Sequence, residues 1–156
     1  MTDRTSYSFK INRKEEMPAD AVVLHCSDHR FQRSFHEFLI EELKVGLYAL
    51  LSIPGGGHFL SMEDVMSKYF KISLRSLSFH INRNKPRRAI VIGHYDCLFF
   101  KEQAQFYFSE PGLNQKQFAN LRKARIQLQE RFPGLEVELY FADVKEDGSV
   151  EFLRVE

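Results

Sequence analysis

Two short stretches of this 156-residue chain concentrate side chains that can do chemistry. The first, "VLHCSDHRF" at 23–31, ends an apolar run and combines a thiol at Cys26 with a carboxylate and a guanidinium. The second, "VIGHYDC" at 91–97, also follows an apolar run and carries His94 and Cys97. Two thiolates and one imidazole are a common zinc ligand set, and a catalytic zinc keeps a fourth position open. Cys26, His94 and Cys97 are therefore the candidate metal ligands.

Two charged residues follow Cys26 closely, Asp28 after two positions and Arg30 after four. A carboxylate beside a metal-activated hydroxide can accept its hydrogen bond and orient it towards the substrate. An arginine two residues further on can keep that carboxylate ionised and correctly directed through a charge-assisted contact. Asp28 and Arg30 are therefore the candidate catalytic residues. Without a metal, the same two residues form an ordinary ion pair at a strand end.

The elements that must bring these residues together alternate between strands and helices. Strands are predicted at 21–26, 47–53, 89–94 and 135–144, with a last strand after the "EDGS" turn, and helices at 31–44, 62–83 and 114–131. This alternation predicts an α/β fold with a mostly parallel sheet and helices on both faces. We expect the strand order to be about 2-1-3-4, with a C-terminal hairpin strand at the edge.

This strand order makes the first and third strands neighbours. Their carboxyl ends carry Cys26 on one strand and His94, followed by Cys97, on the other. Ligand sites of parallel sheets lie at such carboxyl ends. The glycines of "PGGG" (54–57) end the second strand and are expected to border the same crevice.

Composition excludes several functional classes. The net charge is +1, which gives no global reason to expect nucleic acid or an anionic membrane as a partner. No apolar run approaches the roughly 18 residues of a membrane span, and the polar N-terminus has no signal-peptide core. Two cysteines 71 positions apart do not form a secreted disulfide framework. We expect a cytoplasmic protein with an N-terminal arm (1–18) and a single domain (19–156).

The two motifs resemble those of a known enzyme family. "CSDHR" is similar to the Cys-x-Asp-x-Arg motif of the β-class carbonic anhydrases, and "GHYDC" is similar to their Gly-His-x-x-Cys motif. The C-terminal "FADVKEDGSVEF" resembles the family's last strand and hairpin, so that the resemblance covers roughly residues 20–153. It implies zinc held by Cys26, His94 and Cys97, and reversible hydration of carbon dioxide to bicarbonate by zinc-bound hydroxide.

The resemblance also implies a homodimer or larger homo-oligomer and a paired Asp28 and Arg30. In some members of the family the aspartate corresponding to Asp28 occupies the fourth zinc position in a closed state. Carbon disulfide and carbonyl sulfide hydrolases share the fold and the motifs. The aromatic segment "LFFKEQAQFYF" (98–108) is predicted to lie in the core or in a dimer interface.

The chain departs from the family pattern near the expected pocket. "SIPGGGH" stands where relatives commonly carry an Arg-Asn-Ala-Gly-like stretch, and Leu98 and Phe99 follow Cys97 where glycine is usual. Bulky residues there could narrow the pocket. Alternatives therefore stay open: a non-catalytic zinc-binding member of the fold, a hydrolase of a related small molecule such as carbon disulfide or carbonyl sulfide, and a thiol-dependent protein that uses both cysteines without metal.

Overall fold

A five-stranded sheet forms the centre of the protein. The computed structural model describes residues 6–11, 18–107 and 112–156, and of residues 104–107 only the backbone. The strand order is β2-β1-β3-β4-β5, with the first four strands parallel and β5 antiparallel to β4. The strands are β1 (Ala21–Cys26), β2 (Tyr48–Ile53), β3 (Arg88–His94), β4 (Glu136–Val144) and β5 (Val150–Val155). The predicted α/β class, strand order and C-terminal hairpin are confirmed.

The helices differ from the sequence prediction in their bounds. They are α1 (Gln32–Glu37), α2 (Ser67–Asn84), α3 (Leu98–Tyr107) and α4 (Leu113–Arg131). The helix predicted at 31–44 changes after α1 into a π-helical turn, Phe38–Glu42. The helix predicted at 62–83 begins later, because a 3₁₀ segment, Gly56–Ser61, and a turn precede it. Among the described residues, no helix is both long and apolar enough to cross a membrane.

The sheet is covered on both faces, as predicted. On one face, Val22 and Leu24 of β1 belong to a core cluster that includes residues of α2 and α4. On the other face, Ala21 and Val23 pack in a second cluster with Phe35 of α1. Successive strand residues point to opposite faces, so a strand covered on both sides is buried along its length. All six residues of β1 are accordingly buried.

Two predicted segments lie partly outside the described residues. Of the N-terminal arm, 1–5 and 12–17 are not described, and residues 6–11 have no regular structure and expose their apolar side chains. Of the aromatic segment 98–108, the described part is helix α3. Within it Phe100 is buried, whereas Leu98 is exposed.

The 3₁₀ segment packs against the sheet at Gly57. A Cβ atom on Gly57 would lie 2.4 Å from Cγ1 of Val91, a buried residue of β3. Valine in a strand has few alternative rotamers, so the contact cannot be relieved by a small side-chain rotation. Gly57 therefore allows the chain after β2 to lie directly on the strand that ends at His94.

We predict that Gly57→Ala destabilises the fold by about 1–3 kcal/mol, because the added methyl group overpacks the contact with Val91. The measurement is the free energy of unfolding from urea denaturation. Val91→Ala provides the matched background, since it removes the methyl group that would clash. In that background Gly57→Ala should cost clearly less. Equal costs in both backgrounds would show that the contact with Val91 is not the cause.

Candidate metal centre

The candidate metal ligands come from two neighbouring strand ends. Cys26 is the last residue of β1 and His94 the last residue of β3, and the two strands pair in parallel up to His25 opposite Ile92. Cys97 lies three residues beyond His94, immediately before α3. The structure therefore brings together the three residues that the sequence predicted as metal ligands.

The three potential ligand atoms are close enough to bind one ion. They all lie within 4.8 Å of one another, and the sulfurs of Cys26 and Cys97 are 3.9 Å apart. Two sulfurs at zinc–sulfur distances of about 2.3 Å in tetrahedral geometry would be separated by about 3.8 Å. All three residues are buried. The spacing of the sulfurs therefore matches binding of a single tetrahedral metal ion.

The histidine is oriented for metal binding by its backbone contact. Nδ1 of His94 lies 2.8 Å from the carbonyl oxygen of Tyr95. A donor at Nδ1 leaves Nε2 as the acceptor, which is the tautomer a metal requires. Nε2 is buried and has no hydrogen-bond partner among the described residues. Since an unsatisfied buried nitrogen is costly, a metal at this position would satisfy it.

Gln117 of α4 contacts the carboxyl end of β3. Its side-chain amide donates a hydrogen bond of 2.9 Å to the backbone carbonyl of His94. Gln117 is buried, although amides prefer solvent, and this bond satisfies one of its donors. The sequence analysis did not identify this residue, because a single glutamine on a helix has no distinguishing spacing.

The two thiols have opposite pKa shifts. The hydrogen bond with Cys97, aided by His94 and by the backbone N–H of Gly55, lowers the pKa of the Cys26 thiol to about 4 against the opposing effect of burial. The same interaction with Cys26, together with burial, raises the pKa of Cys97. The pair thus shares one proton when no metal is bound. A cation that replaces this proton would be held by two thiolates.

Gly55 contributes to the site through its backbone. Its N–H donates to the Cys26 sulfur at 3.3 Å, and its φ of 77° lies in the left-handed region that favours glycine. A Cβ atom at this position would lie 2.4 Å from the ring of Phe99. The glycines after β2 therefore border the site, as the sequence predicted, and Phe99 covers them.

Asp28 and Arg30 form a close ion pair beside the three ligands. Nε of Arg30 lies 3.1 Å and 3.2 Å from the two carboxylate oxygens of Asp28, and Nη2 lies 2.7 Å from Oδ2. The backbone N–H of Arg30 donates to Oδ1 at 3.0 Å. These contacts with Arg30 lower the pKa of Asp28 to about 2. Asp28 is therefore an ionised acceptor at neutral pH.

A second carboxylate, Asp96, also binds Arg30. Its side chain accepts a hydrogen bond of 3.0 Å from Nη1 of Arg30, and it forms an ion pair with Lys101 of α3. The sequence alone did not assign Asp96 to the site. Its position inside the metal motif was the one available signal, because the contact with Arg30 joins residues 66 positions apart.

A small cavity of about 20 Å³ adjoins Cys97. Its wall includes His58, Phe100 and Asn120. Nδ1 of His58 lies 3.0 Å from the side-chain amide nitrogen of Asn120, and burial lowers the pKa of His58 to about 4. A neutral imidazole thus lines this cavity.

The other histidines near the motifs have packing or surface positions. His25 is buried against the ring of Phe35 at 4.6 Å, and its Nδ1 lies 2.9 Å from the carbonyl oxygen of Cys26. His29 is exposed. Neither belongs to the group of potential metal ligands found among the described residues.

Comparison with known families agrees with this geometry. A sequence model of the family described as "Putative carbonic anhydrase" matches residues 17–153. The chain belongs to this carbonic anhydrase family. A comparison with curated proteins gave no match.

Solved carbonic anhydrases share the fold. The chain is similar to the β-carbonic anhydrase CafA of the fungal pathogen Aspergillus fumigatus, with 13% sequence identity, a TM-score of 0.55, and 88% of this chain and 76% of that chain covered. It is also similar to the β-carbonic anhydrase CcaA, with 14% identity, a TM-score of 0.56, and 90% and 79% coverage. The resemblance seen in the sequence is confirmed, and at these identities the structural likeness concerns the fold.

We predict that the Asp28–Arg30 pair makes the free energy of unfolding of the metal-free protein decrease as the pH becomes acidic. The carboxyl has a pKa of 3.8 when unpaired and about 2 in the fold, so the pair stabilises the protein above pH 3.8. This contribution is lost as the pH falls through the folded value. In urea denaturation at stepped pH, Asp28→Asn should therefore have a shallower decline in the free energy of unfolding between pH 3.8 and 2 than wild type. Parallel declines would contradict the pairing.

Proposed function

We propose that the protein is a zinc-dependent carbonic anhydrase that catalyses the reversible hydration of carbon dioxide to bicarbonate. The observation that carries this proposal is the convergence of two buried sulfurs and the unpaired Nε2 of His94, in a chain of the carbonic anhydrase family. The neighbouring Asp28–Arg30 pair supports a catalytic role for the centre.

Cys26, His94 and Cys97 are the proposed zinc ligands. This donor set of two thiolates and one imidazole matches the preference of zinc, and three protein ligands leave one position for water. Zinc, when bound there, supplies the positive charge that lowers the pKa of water and makes hydroxide available for attack on carbon dioxide. The hydrogen bond from Nδ1 of His94 to Tyr95 keeps the imidazole correctly oriented.

Asp28 is proposed to orient the attacking group. Its carboxylate is ionised, so it can accept the remaining proton of the attacking hydroxide in a hydrogen bond and direct the oxygen lone pair towards the substrate. Arg30 supports this role, because it contacts both carboxylate oxygens and limits their rotation. Asp28 as a fourth metal ligand in a closed state remains a proposal; in this structure its carboxylate binds Arg30.

The walls beside the ligands suit a small apolar substrate. Cys26, Cys97 and Phe100 form a buried cluster, and Phe99 and Leu113 pack against it. An apolar wall offers no competing hydrogen bonds to carbon dioxide. Carbon disulfide and carbonyl sulfide have the same linear shape and are the alternative substrates.

One observation favours a second candidate function, a non-catalytic zinc protein. Phe99 packs so closely over Gly55 that no side chain could be added there, and it belongs to the bulky pair Leu98 and Phe99 that follows Cys97 where glycine is usual in relatives. A ring at this place narrows the approach to Cys26. Leu98, in contrast, is exposed and does not fill the cavity. The hydration activity of the zinc-loaded protein distinguishes the two candidates.

We also propose a cytoplasmic homodimer or larger homo-oligomer. Both cysteines are free thiols, as a reducing compartment would maintain them. Tyr7, Phe9 and Ile11 of the arm are exposed, with Phe9 at 89% exposure, and they alternate with polar residues. Exposed apolar side chains in this number favour burial against a second copy of the chain.

Sedimentation should therefore find at least a dimer at micromolar concentration rather than a monomer of 18.4 kDa. Replacing Tyr7, Phe9 and Ile11 together by serine should weaken the association, because these side chains would no longer bury apolar surface. Serine replacement of the exposed Ile72 and Phe79 of α2 is the control. A monomeric wild type would refute the proposal.

The purified protein should contain about one zinc ion per chain, because three ligands converge on one position. Elemental analysis after purification without chelators is the measurement. Cys97→Ser should lose most of the zinc and also part of its thermal stability, since metal binding is coupled to folding. Zinc-free wild-type protein with two reactive thiols would instead support the thiol-dependent alternative.

Asp28→Asn should retain zinc but lose carbon dioxide hydration activity by about 10- to 100-fold at about pH 8–9, the usual scale for a residue that orients a metal ligand. Stopped-flow hydration with a pH indicator is the measurement. Asp147→Asn is a matched control, because Asp147 also accepts a backbone N–H from two residues later, at 2.9 Å from Ser149, but belongs to the turn between β4 and β5. Wild-type activity in Asp28→Asn would refute the orienting role.

A further inference from the structure

The guanidinium of Arg30 is held along two edges by residues from different parts of the chain. The edge formed by Nε and Nη2 binds the carboxylate of Asp28, and the edge formed by Nη1 and Nη2 binds Asp96. On the second edge, Nη1 donates to Oδ2 of Asp96 at 3.0 Å and Nη2 donates to its backbone carbonyl at 2.9 Å. The side chain of Arg30 is 40% exposed, so these contacts rather than burial determine where it lies.

Asp96 is itself held in a fixed position. It lies between His94 and Cys97 with a φ of 56°, a left-handed conformation that aspartate and asparagine tolerate better than most residues. Its second carboxylate oxygen, Oδ1, accepts a hydrogen bond from Lys101 of α3. The loop before it is fixed by a backbone hydrogen bond of 2.8 Å from Tyr95 to Ala142 of β4. Asp96 therefore offers Arg30 a rigid acceptor.

The carboxylate of Asp28 lies beside the metal centre and can itself act as a metal ligand. It therefore needs the restraint that Arg30 provides. A carboxylate oxygen binds zinc readily, and the backbone N–H of Asp28 already contacts the Cys26 sulfur. Only Arg30 contacts both oxygens of the Asp28 carboxylate in the described structure. If Arg30 moves away, the carboxylate loses these partners and is free to bind the metal.

We propose that Asp96 is a positioning residue that fixes Arg30 against Asp28 and thereby keeps the Asp28 carboxylate off the metal. Lys101 assists by holding the other oxygen of Asp96. The inference rests on the proposed metal centre. It attributes the open state, in which the fourth metal position is free for an external ligand, to the contact of Arg30 with Asp96. Asp96 thus controls access of an external ligand to the metal without touching it.

Access to the metal can be measured without catalysis. Cobalt(II) replaces zinc in the full-length protein, and azide binding at the open position is followed by visible absorption at one fixed pH. Asp96→Gly is the principal variant, because glycine accepts the φ of 56° while removing both carboxylate contacts. If the open state falls to about one tenth of the population, the apparent Kd for azide rises about 10-fold.

Three further variants separate positioning from general disturbance. Asp96→Asn keeps one acceptor oxygen and tolerates the backbone conformation, so its azide Kd should rise less than that of Asp96→Gly. In an Asp28→Asn background, Asp96→Gly should leave the azide Kd unchanged, because the neutral amide competes poorly for the metal. Arg33→Gln removes an exposed ion pair with Glu37 on α1 and should also leave it unchanged.

Three results would overturn the proposal. Azide affinity that is unaffected or improved in Asp96→Gly would show that Arg30 holds Asp28 unaided. An equal loss of affinity in the wild-type and the Asp28→Asn backgrounds would show that the variant merely distorts the loop of metal ligands. Failure to take up cobalt would refute the metal centre and this inference together. Cobalt binding without hydration activity would refute the proposed function alone and leave the azide result decisive for Asp96.

Discussion

The parallel pairing of β1 with β3 is the constraint on which the rest of the site depends. These strands pair in register up to His25 opposite Ile92, so both end at the same edge of the sheet. Cys26 is the next residue of β1 and His94 lies two residues beyond Ile92, and a turn of two residues separates His94 from Cys97. Burial of β1 on both faces makes the pairing rigid, because a slip by one residue would turn apolar side chains to the wrong face.

Charge is distributed in two layers around this edge. The sulfurs and the histidine are buried, and a divalent cation would neutralise both thiolates there, whereas one shared proton neutralises only one of them. The ion pairs of Arg30 with Asp28 and Asp96 lie at the half-exposed rim, where a single pair contributes little to stability. Because both carboxylates bind the same guanidinium, their positions are better defined than those of isolated ion pairs. The buried thiols and His94 thus form the candidate metal site, and the ion pairs of Arg30 determine the orientation of Asp28 beside it.

The departures from the family pattern affect the walls of the site rather than its ligands. The glycines after β2 allow close approach to both Cys26 and Val91, and Phe99 fills the space that they leave. Gly55 and Phe99 are therefore complementary parts of the wall beside Cys26.

The sequence by itself determined the strand order and the two-sided burial of the sheet, and it identified the three candidate metal ligands. Buried parallel strands appear as apolar runs, and their ends are marked by the first reactive residues, so this information is local. The break of the helix after Glu37 and the start of α2 at Ser67 followed from packing of the chain against the sheet and were not predictable from apolar spacing. Only the tertiary structure decided that Asp96 binds Arg30, that Phe99 covers Gly55 and that Gln117 supports His94. These contacts join residues far apart in the chain through particular side-chain rotamers. A periodic pattern in a sequence does not predict side-chain rotamers.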